Sequence, residues 1–260
     1  MSLFKPGSKG AQHPMSRISI TYGLHPYFPS RLGFERLLRF SNAKLGRVID
    51  ATRRFSINPN RPRVTIYREA LEVLERSIAG DIAVIGAHRG GTAAPLALLL
   101  KDHPDRQLHL FDRWGDLPDP TPEDGYRAEQ YRKDRIPEKL AKLRDDPPLD
   151  DCRKVIHEIV GLPEGQVHYY QGWFDDTLAE SGPYSGRPLA FALVHCDYYR
   201  SVAKALAFVD RHMAAGGAAI VNDYCYWPGS KRATDEYLAT AARPATLAMT
   251  ATHQALLRFG

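Results

Sequence analysis

The residues best suited to chemistry in this chain stand in two polar clusters, each placed directly after an apolar, strand-like segment. His195 and Asp197 follow the fourth such segment, and Asn222 and Asp223 follow the fifth. A histidine near a carboxylate can serve as a general base, because the carboxylate fixes its tautomer and stabilises the imidazolium. The pattern therefore predicts a catalytic group made of His195, Asp197 and Asp223.

The same side chains support two other interpretations. His195, Asn222 and Asp223 together offer three ligands for a divalent cation, and the imidazole favours Zn, Mn or Fe over Mg. Alternatively, Asp197 and Asn222 cap the helix and the loop that follow them, while His195 is a satisfied core residue. The residue types alone leave these alternatives open.

A glycine-rich turn follows the first strand. Residues 82–91 read Ile-Ala-Val-Ile-Gly-Ala-His-Arg-Gly-Gly, so a buried strand runs into a turn that opens a helix. Gly86, Gly90 and Gly91 lack side chains and can expose backbone amides to a nucleotide-like ligand. The spacing is not the Gly-x-Gly-x-x-Gly of dinucleotide-binding proteins, and such turns also carry glycines for steric reasons alone. The turn predicts a ligand site, with the steric interpretation standing beside it.

Two further strand ends carry groups that suit a nucleoside. Asp112 ends the second strand about 20 residues beyond the glycines, where a carboxylate can accept hydrogen bonds from a ribose diol. It can equally cap the turn behind it. The segment Gln171-Gly172-Trp173-Phe174 follows the third strand, and an amide with two aromatic rings suits an adenine, although the two rings can also be core.

A doubly wound sheet would bring these strand ends together. Strand-like and helix-like segments alternate from residue 82 onward, which predicts an α/β fold with a mostly parallel, seven-stranded sheet closed by an antiparallel hairpin. Ligands of such sheets bind beyond the carboxyl ends of the strands. The predicted strands are residues 82–86, 107–111, 166–170, 189–194 and 218–221, then 245–249 paired with 253–259. The predicted helices are residues 31–55 (one or two helices), 65–79, 92–100, 126–145, 149–160, 174–180, 199–214, which Gly216-Gly217 ends, and 231–241.

The chain divides into three parts. Residues 1–16 are predicted to be a flexible leader, residues 17–64 an N-terminal helical extension, and residues 65–260 one sheet domain. The loop 113–125 is rich in proline and glycine, and with the extension it is expected to cover the cleft and select the substrate. The apolar helices of the extension also make a homodimer a hypothesis.

Composition excludes several classes of function. The net charge of +5 is spread along a chain of 260 residues, so no basic stripe indicates nucleic acid. No apolar run is long enough to cross a membrane, and no signal peptide is evident. Cys152, Cys196 and Cys225 lack paired metal-ligand spacing, which fits a reducing compartment. We therefore expect a cytoplasmic protein with a small-molecule substrate and no nucleic-acid or membrane partner.

Five motifs, in order and spacing, resemble the macrocin O-methyltransferase (TylF-type) family over about residues 65–240. They are Gly86–Thr92, Phe111-Asp112 with Gly115–Pro118, Gly172–Leu178, His195–Tyr198, and Gly216-Gly217 with Asn222–Tyr224. The resemblance implies the Rossmann-like fold of class I S-adenosylmethionine-dependent methyltransferases. It also implies methylation of a sugar hydroxyl in antibiotic biosynthesis.

By the same resemblance, S-adenosylmethionine is the expected cofactor. Its methionine part would lie against the glycine turn, its ribose on Asp112 and its adenine near residues 171–174. The family holds a divalent metal, Mg, with acidic segments at the positions of His195-Cys196-Asp197 and Asn222-Asp223. The residues expected to contact the cofactor are Gly86, Ala87, His88, Arg89, Gly90, Gly91, Thr92, Asp112, Arg113, Trp114, Gln171, Gly172, Trp173, Phe174 and His195.

Three polar positions depart from the family pattern. His195 and Asn222 replace the leading carboxylates of the two acidic segments, and Val84 stands where the family has a glutamate. We favour a methyltransferase whose general base is His195 and in which a metal is optional. A variant keeps a metal on His195, Asn222 and Asp223. The alternative is a protein of this fold that binds the cofactor or a nucleoside without methyl transfer, or uses it for a different reaction.

Overall fold

Five parallel strands and an antiparallel hairpin form one sheet. The structure is a computed structural model that describes residues 42–115, 117–134 and 148–260. The strands are β1 Asp81–Ile85, β2 Leu108–Asp112, β3 Val167–Gln171, β4 Leu189–Val194, β5 Met213–Val221, β6 Ala245–Met249 and β7 Ala255–Phe259. Their order across the seven-stranded sheet is β3-β2-β1-β4-β5-β7-β6. Strands β1 to β5 pair in parallel, and β7 is antiparallel to both β5 and β6.

Helices pack on both faces of this sheet. Helices α1, α2, α3 and α5 share one hydrophobic core with the sheet, and α7 and α8 share the other. The α-helices are α1 Ala43–Ala51, α2 Asn60–Glu75, α3 Ala94–Leu100, α4 residues 125–134, α5 Pro148–Arg153, α6 Phe174–Thr177, α7 Tyr199–His212 and α8 Pro228–Thr240. A π-helical turn, Lys154–Val160, continues α5.

The central strand β1 shows why a hydrophobic core forms on each face of the sheet. All five of its residues are buried, as expected for a strand inside a parallel sheet. Ile82 and Val84 belong to the core under α2 and α3, whereas Ala83 and Ile85 belong to the core under α7. This alternation follows the two-residue period of a strand. The predicted doubly wound, mostly parallel, seven-stranded fold is confirmed.

Two predicted boundaries are wrong for identifiable reasons. Gly216-Gly217 do not end a helix, because α7 ends at His212 and β5 begins at Met213. Gly216, at φ +78°, lies inside β5, whose pairing with β4 shifts register in this region. Helix α2 begins at Asn60 rather than at residue 65, because prolines are tolerated at the start of a helix, where amides need no internal partner.

Some predictions fall outside the described residues. These are the leader 1–16, the helical extension before residue 42 and the part of the predicted helix 126–145 after residue 134. Within the described ranges, no helix is both long and apolar enough to cross a bilayer.

A buried polar cluster joins the amino-terminal ends of β1 and β2. The Asp81 carboxylate lies 3.2 Å from His109 Nε2 and accepts hydrogen bonds from Arg187 Nη2 at 2.8 Å and from the Gln107 amide at 3.0 Å. His109 Nδ1 lies 3.1 Å from the Tyr170 hydroxyl. Burial raises the pKa of Asp81, but the hydrogen bonds from His109, Gln107 and Arg187 outweigh it and hold that pKa below its ordinary value. This carboxylate is fully engaged in holding the fold.

Candidate functional site

The glycine turn between β1 and α3 packs closely against other parts of the chain. Gly86 has a φ of +93°, and a Cβ there would lie 2.2 Å from the His195 carbonyl oxygen. A Cβ on Gly91 would lie 2.4 Å from the carbonyl carbon of Phe55, and Gly90 has a φ of +79°. The steric interpretation of these glycines is therefore confirmed. Contact with a cofactor stays a prediction.

Asp112, at the end of β2, holds the glycine turn in place. Its carboxylate accepts a hydrogen bond from the His88 amide at 2.8 Å and another from the Trp114 amide at 2.7 Å. Trp114 Nε1 donates to the His88 carbonyl at 2.7 Å, and the indole is buried, as is Ala87. These bonds fix two residues with left-handed backbones, His88 at φ +45° and Trp114 at φ +50°. Asp112 thus caps the turn behind it, and its bond to a ribose stays a prediction.

Other polar side chains of the turn are tied to neighbouring elements. The Arg89 guanidinium forms a largely buried ion pair with Asp151 of α5. Thr92 Oγ1 lies 3.1 Å from Ser56 Oγ in the segment Phe55–Asn58, here called the strap. The strap runs between α1 and α2 and reaches the carboxyl ends of the strands. Arg89 and Thr92 therefore fix the shape of the turn.

A cavity of about 630 Å³ lies among the loops that follow β2, β3 and β4. Gln171 is exposed where β3 ends. The Arg113 guanidinium stacks 4.0 Å from the centre of the Trp173 ring, which is 40% exposed. Aromatic rings, cations and carboxylates line the cavity: Trp173, Phe174, Tyr198, Arg113, Arg132, Arg200, Lys204, Asp119, Asp124, Asp175 and Asp176. An exposed ring beside a stacked guanidinium is a surface on which a flat heterocycle can pack.

His195 and Asp223 come together where β4 and β5 end. His195 Nε2 lies 3.7 Å from Asp223 Oδ2, and the two side chains are 5% and 14% exposed. Burial raises the pKa of Asp223 to about 6, although a hydrogen bond from Asn222 opposes the rise. The prediction that the two polar clusters face each other is confirmed. At this distance the two atoms are in ionic contact but are not hydrogen-bonded.

Asn222 is the centre of an amide network beside this pair. Its Oδ1 accepts hydrogen bonds from Asn58 Nδ2 at 2.8 Å and from Gln254 Nε2 at 2.7 Å. Its Nδ2 donates to Asp223 Oδ2 at 3.1 Å and to Asn58 Oδ1 at 3.2 Å. The interpretation of Asn222 as a cap for the following loop is wrong, because its amide binds other side chains rather than backbone.

The sequence patterns do not single out Asn58 or Gln254. Asn58 lies in the strap, 164 residues from Asn222, and Gln254 lies in the turn before β7, 32 residues from Asn222. Asn58 stands in a proline-rich break, where an asparagine is typical of a turn. The strap thus connects the glycine turn, through Ser56, to the end of β5, through Asn58.

The predicted ligand set of His195, Asn222 and Asp223 does not fit a divalent cation. Asn222 Oδ1 already accepts two N–H groups, so it could ligate a metal only by breaking both hydrogen bonds. Without it, the set has one imidazole and one carboxylate, and an imidazole is a poor ligand for Mg, the metal that the resemblance implies. In the part of the chain that the structure describes, no three His, Cys, Asp or Glu side chains group closely enough to hold a metal ion.

Asp197 and Tyr198 occupy the turn between β4 and α7. The first amide of α7, on Tyr199, donates to Asp124 Oδ1 at 2.5 Å, so Asp124 caps this amide, and the interpretation of Asp197 as a helix cap stays a prediction. The buried Tyr198 hydroxyl finds no hydrogen-bond partner among the described residues. Burial and then the charge of Asp197 raise the pKa of Tyr198 to about 12. This hydroxyl belongs to a residue that lines the cavity.

Val84, the third departure from the family pattern, is a core residue. It is fully buried and pairs in register with Leu110 of β2 and Leu193 of β4, which belong to the same core. An ionised glutamate at this position would place a charge in apolar surroundings, which is costly without a partner. The apolar neighbours therefore accommodate the change.

A comparison with models of known protein families identifies the family of this chain. Residues 60–254 match the family model described as Macrocin-O-methyltransferase (TylF), which covers most of the sequence. The chain belongs to the macrocin O-methyltransferase family. The resemblance seen in its motifs is confirmed.

Named relatives of this family member are O-methyltransferases of actinomycetes. Demethyldecarbamoylnovobiocin O-methyltransferase from Streptomyces niveus is 30% identical over 184 residues, which cover 68% of this chain and 65% of that protein. A tetracenomycin-C rhamnosyl 4′-O-methyltransferase from Streptomyces olivaceus is 31% identical over 154 residues, which cover 58% of this chain and 56% of that protein. The chain thus spans less than two thirds of the length of these relatives.

Solved structures share the fold. The O-methyltransferase NovP superposes with a TM-score of 0.61 at 26% identity, covering 75% of this chain and 78% of NovP. TomG from Streptomyces achromogenes, solved in complex with S-adenosylmethionine, gives a TM-score of 0.55 at 16% identity, covering 88% of this chain and 94% of TomG. The sheet of this chain is therefore that of known O-methyltransferases.

Proposed function

We propose that this protein is an S-adenosylmethionine-dependent methyltransferase that methylates a hydroxyl group of a sugar or another secondary metabolite. The placement of His195 beside Asp223 carries the proposal, because transfer to a hydroxyl needs a group that takes its proton. Membership of the family and the names of the relatives support the same reaction class.

The cofactor would be held along the edge formed by β1, β2 and β3. The glycine turn would face its methionine part, Asp112 its ribose, and residues 171–174 its adenine. When bound, S-adenosylmethionine supplies an electrophilic methyl group on its sulfonium sulfur. The hydrogen bonds that the His88 and Trp114 amides donate to Asp112 keep the turn in one conformation, so the turn needs little further ordering when the cofactor binds. The complex of TomG with S-adenosylmethionine supports this choice of cofactor.

His195 is the proposed general base. Its imidazole takes the hydroxyl proton as the acceptor oxygen attacks, and the Asp223 carboxylate stabilises the imidazolium that forms. Both side chains are largely buried, so the attraction between the two charges is stronger than it would be in water. Asp197 adds a further negative charge at the end of β4, within range to perturb Tyr198.

The cavity is the proposed site for the adenine and for the part of the acceptor remote from the reacting hydroxyl, because His195 and Asp223 are not among the residues that line it. Trp173 offers a ring face on the side of β3, and Tyr198 lies on the side of β4. A ligand hydroxyl would satisfy the buried Tyr198 hydroxyl, which has no partner among the described residues. Arg200 is a donor suited to the oxygen atoms of a glycoside, whereas Arg132 is engaged by Asp119 and by the Leu117 and Pro118 carbonyls.

Acceptors taken from the named relatives provide the test. The protein is incubated with S-adenosylmethionine and with demethyldecarbamoylnovobiocin, the dimethoxyrhamnosyl-tetracenomycin and mycinamicin III, and products are analysed by mass spectrometry. We expect a product that carries one added methyl group, together with S-adenosylhomocysteine. Calorimetric titration with S-adenosylmethionine and S-adenosylhomocysteine runs in parallel. Binding of neither would contradict the proposal, and binding without transfer to any acceptor would favour a cofactor-binding protein that does not methylate.

A further inference from the structure

Asn222 replaces a family carboxylate, and its hydrogen bonds decide what can bind beside it. Its Oδ1 receives the Asn58 Nδ2–H at 2.8 Å and the Gln254 Nε2–H at 2.7 Å. An amide oxygen has two lone pairs, so both acceptor positions are filled. The positive ends of two N–H dipoles therefore point at the place where a cation would have to contact this oxygen.

Asp223 fixes the orientation of the Asn222 amide. An ionised carboxylate can only accept hydrogen bonds, so the atom 3.1 Å from its Oδ2 must be Nδ2. Oδ1 then faces Asn58 and Gln254. Gln254 is oriented in turn by Thr252, whose hydroxyl donates to Oε1 at 2.7 Å. The donors and acceptors of the network agree with one another, and no amide can turn over alone without losing hydrogen bonds.

We infer that this amide network, formed by Asn58, Asn222 and Gln254, takes the place of the divalent cation in this family member. The inference rests on the proposed function for its chemical role, since the network holds the carboxylate that faces His195. Asn222 Nδ2 binds the same Asp223 oxygen that lies 3.7 Å from His195 Nε2. An amide N–H thus fixes the position of Asp223, a task that a cation can perform in an acidic site.

The charges of the site agree with this inference. Adjacent buried carboxylates repel each other, and a bound cation relieves that repulsion. With an amide at position 222, Asp223 has a neutral hydrogen-bond donor as its neighbour instead of a second carboxylate. Strap and hairpin supply the other two amides, so three separate parts of the chain converge on a neutral arrangement.

The Asn222→Asp variant restores a carboxylate at position 222 with almost no change in the shape of the side chain. It puts a carboxylate next to Asp223 and replaces the N–H donor by an acceptor. We expect the variant to bind Mn²⁺ and the wild-type protein not to bind it. Gln254→Glu is a second variant, which replaces one of the two N–H donors to Asn222 Oδ1 and adds a carboxylate.

Electron paramagnetic resonance measures Mn²⁺ binding by these proteins and needs no turnover, acceptor or cofactor. The signal of free Mn²⁺ is measured with wild-type protein, Asn222→Asp, Gln254→Glu and Asp223→Asn, and circular dichroism checks that each variant is folded. Wild-type protein should leave the signal equal to that in buffer, and Asn222→Asp should reduce it. Because no methyl transfer is measured, failure of the proposed function would be seen separately, in the titrations with S-adenosylmethionine.

Two results would overturn the inference. One is stoichiometric Mn²⁺ binding by the wild-type protein that Asp223→Asn abolishes. The other is a folded Asn222→Asp or Gln254→Glu protein that leaves the Mn²⁺ signal unchanged. The wild-type measurement stands on its own, so the inference remains testable even if a variant fails to fold.

Discussion

The described part of the chain contains two buried histidine–aspartate pairs that lie near opposite ends of the parallel strands. They differ in how many hydrogen bonds the aspartate accepts. At the amino-terminal ends, Asp81 lies 3.2 Å from His109 and also accepts hydrogen bonds from Arg187 and the Gln107 amide. At the carboxyl ends, Asp223 lies 3.7 Å from His195, with a hydrogen bond from Asn222.

This difference in hydrogen bonding separates a structural pair from the pair that we propose to be reactive. The pKa of Asp81 lies below its ordinary value, because its hydrogen bonds outweigh the effect of burial. The pKa of Asp223 is raised to about 6, because burial outweighs its hydrogen bond from Asn222. A carboxylate in the second situation can respond to a new positive charge on the imidazole beside it. The same two residue types thus serve the fold at one end and, in our proposal, the chemistry at the other.

The largest expected effect comes from removing the imidazole of each pair. His195→Ala should lower kcat by about 10²–10⁴-fold, the usual contribution of a general base, and should weaken the binding of S-adenosylhomocysteine far less. His109→Ala is the matched control, and we expect it to reduce the free energy of unfolding by about 3 kcal/mol with little change in kcat. Steady-state kinetics, calorimetry and urea unfolding measure these quantities. Equal losses of kcat in both variants would contradict the assignment of one pair to the fold and the other to catalysis.

Replacing each aspartate by asparagine should give opposite effects of pH on stability. The folded pKa of Asp81 lies below its ordinary 3.8, so its ionised form stabilises the protein above that pH, and this contribution is lost as pH falls through the folded pKa. Asp81→Asn should therefore lower stability at neutral pH by about 3 kcal/mol, and the difference from wild type should shrink in acid.

For Asp223 the sign is reversed. Its folded pKa, about 6, lies above its ordinary 3.8, so the folded state binds a proton more readily and stability falls as pH rises between these values. Asp223→Asn should be equal to wild type below this window and more stable above it by roughly 1–3 kcal/mol. Urea unfolding from acid to neutral pH measures both curves. Parallel curves for the two variants would show that the environments of the two carboxylates do not differ as described.

Removing either of two tyrosine hydroxyls is expected to change the stability of the protein by a smaller amount. The Tyr198 hydroxyl is buried without a partner among the described residues, whereas the Tyr237 hydroxyl donates to Asp210 at 2.7 Å. Tyr198→Phe should leave stability unchanged or raise it by up to about 1 kcal/mol, and Tyr237→Phe should lower it by about 1 kcal/mol. Thermal unfolding measures both. If Tyr198 contacts the acceptor, Tyr198→Phe should also raise KM, and an unchanged KM would argue against that contact.

The sheet could be predicted from the sequence because short apolar runs in the chain indicate its strands. Buried strands such as Leu189–Val194 are continuous apolar runs, and the residue after each run falls at the sheet edge where ligands bind. The start of β5 at Met213 could not be predicted in this way. A glycine pair usually marks the end of an element, but Gly216-Gly217 lies within the strand, with Gly216 at φ +78°.

The candidate site could be predicted only in part. His195 and Asp223 follow neighbouring parallel strands, so their approach was foreseeable. Asn58 and Gln254 reach Asn222 from 164 and 32 residues away, and no local pattern encodes such contacts. The glycines of the turn gave an ambiguous signal, since Gly86 and Gly91 are needed for close packing of the chain whether or not a ligand binds.

In our proposal His195 and Asp223 act as one unit in proton transfer, and a double-mutant cycle distinguishes this from independent action of the two side chains. The kcat of methyl transfer is measured for wild type, His195→Ala, Asp223→Asn and the double variant under saturating S-adenosylmethionine and acceptor. If Asp223 acts through the imidazole, Asp223→Asn lowers kcat in the wild-type background and has no further effect once His195 is absent. Losses that multiply in the double variant would contradict the claim, because the two side chains would then act independently.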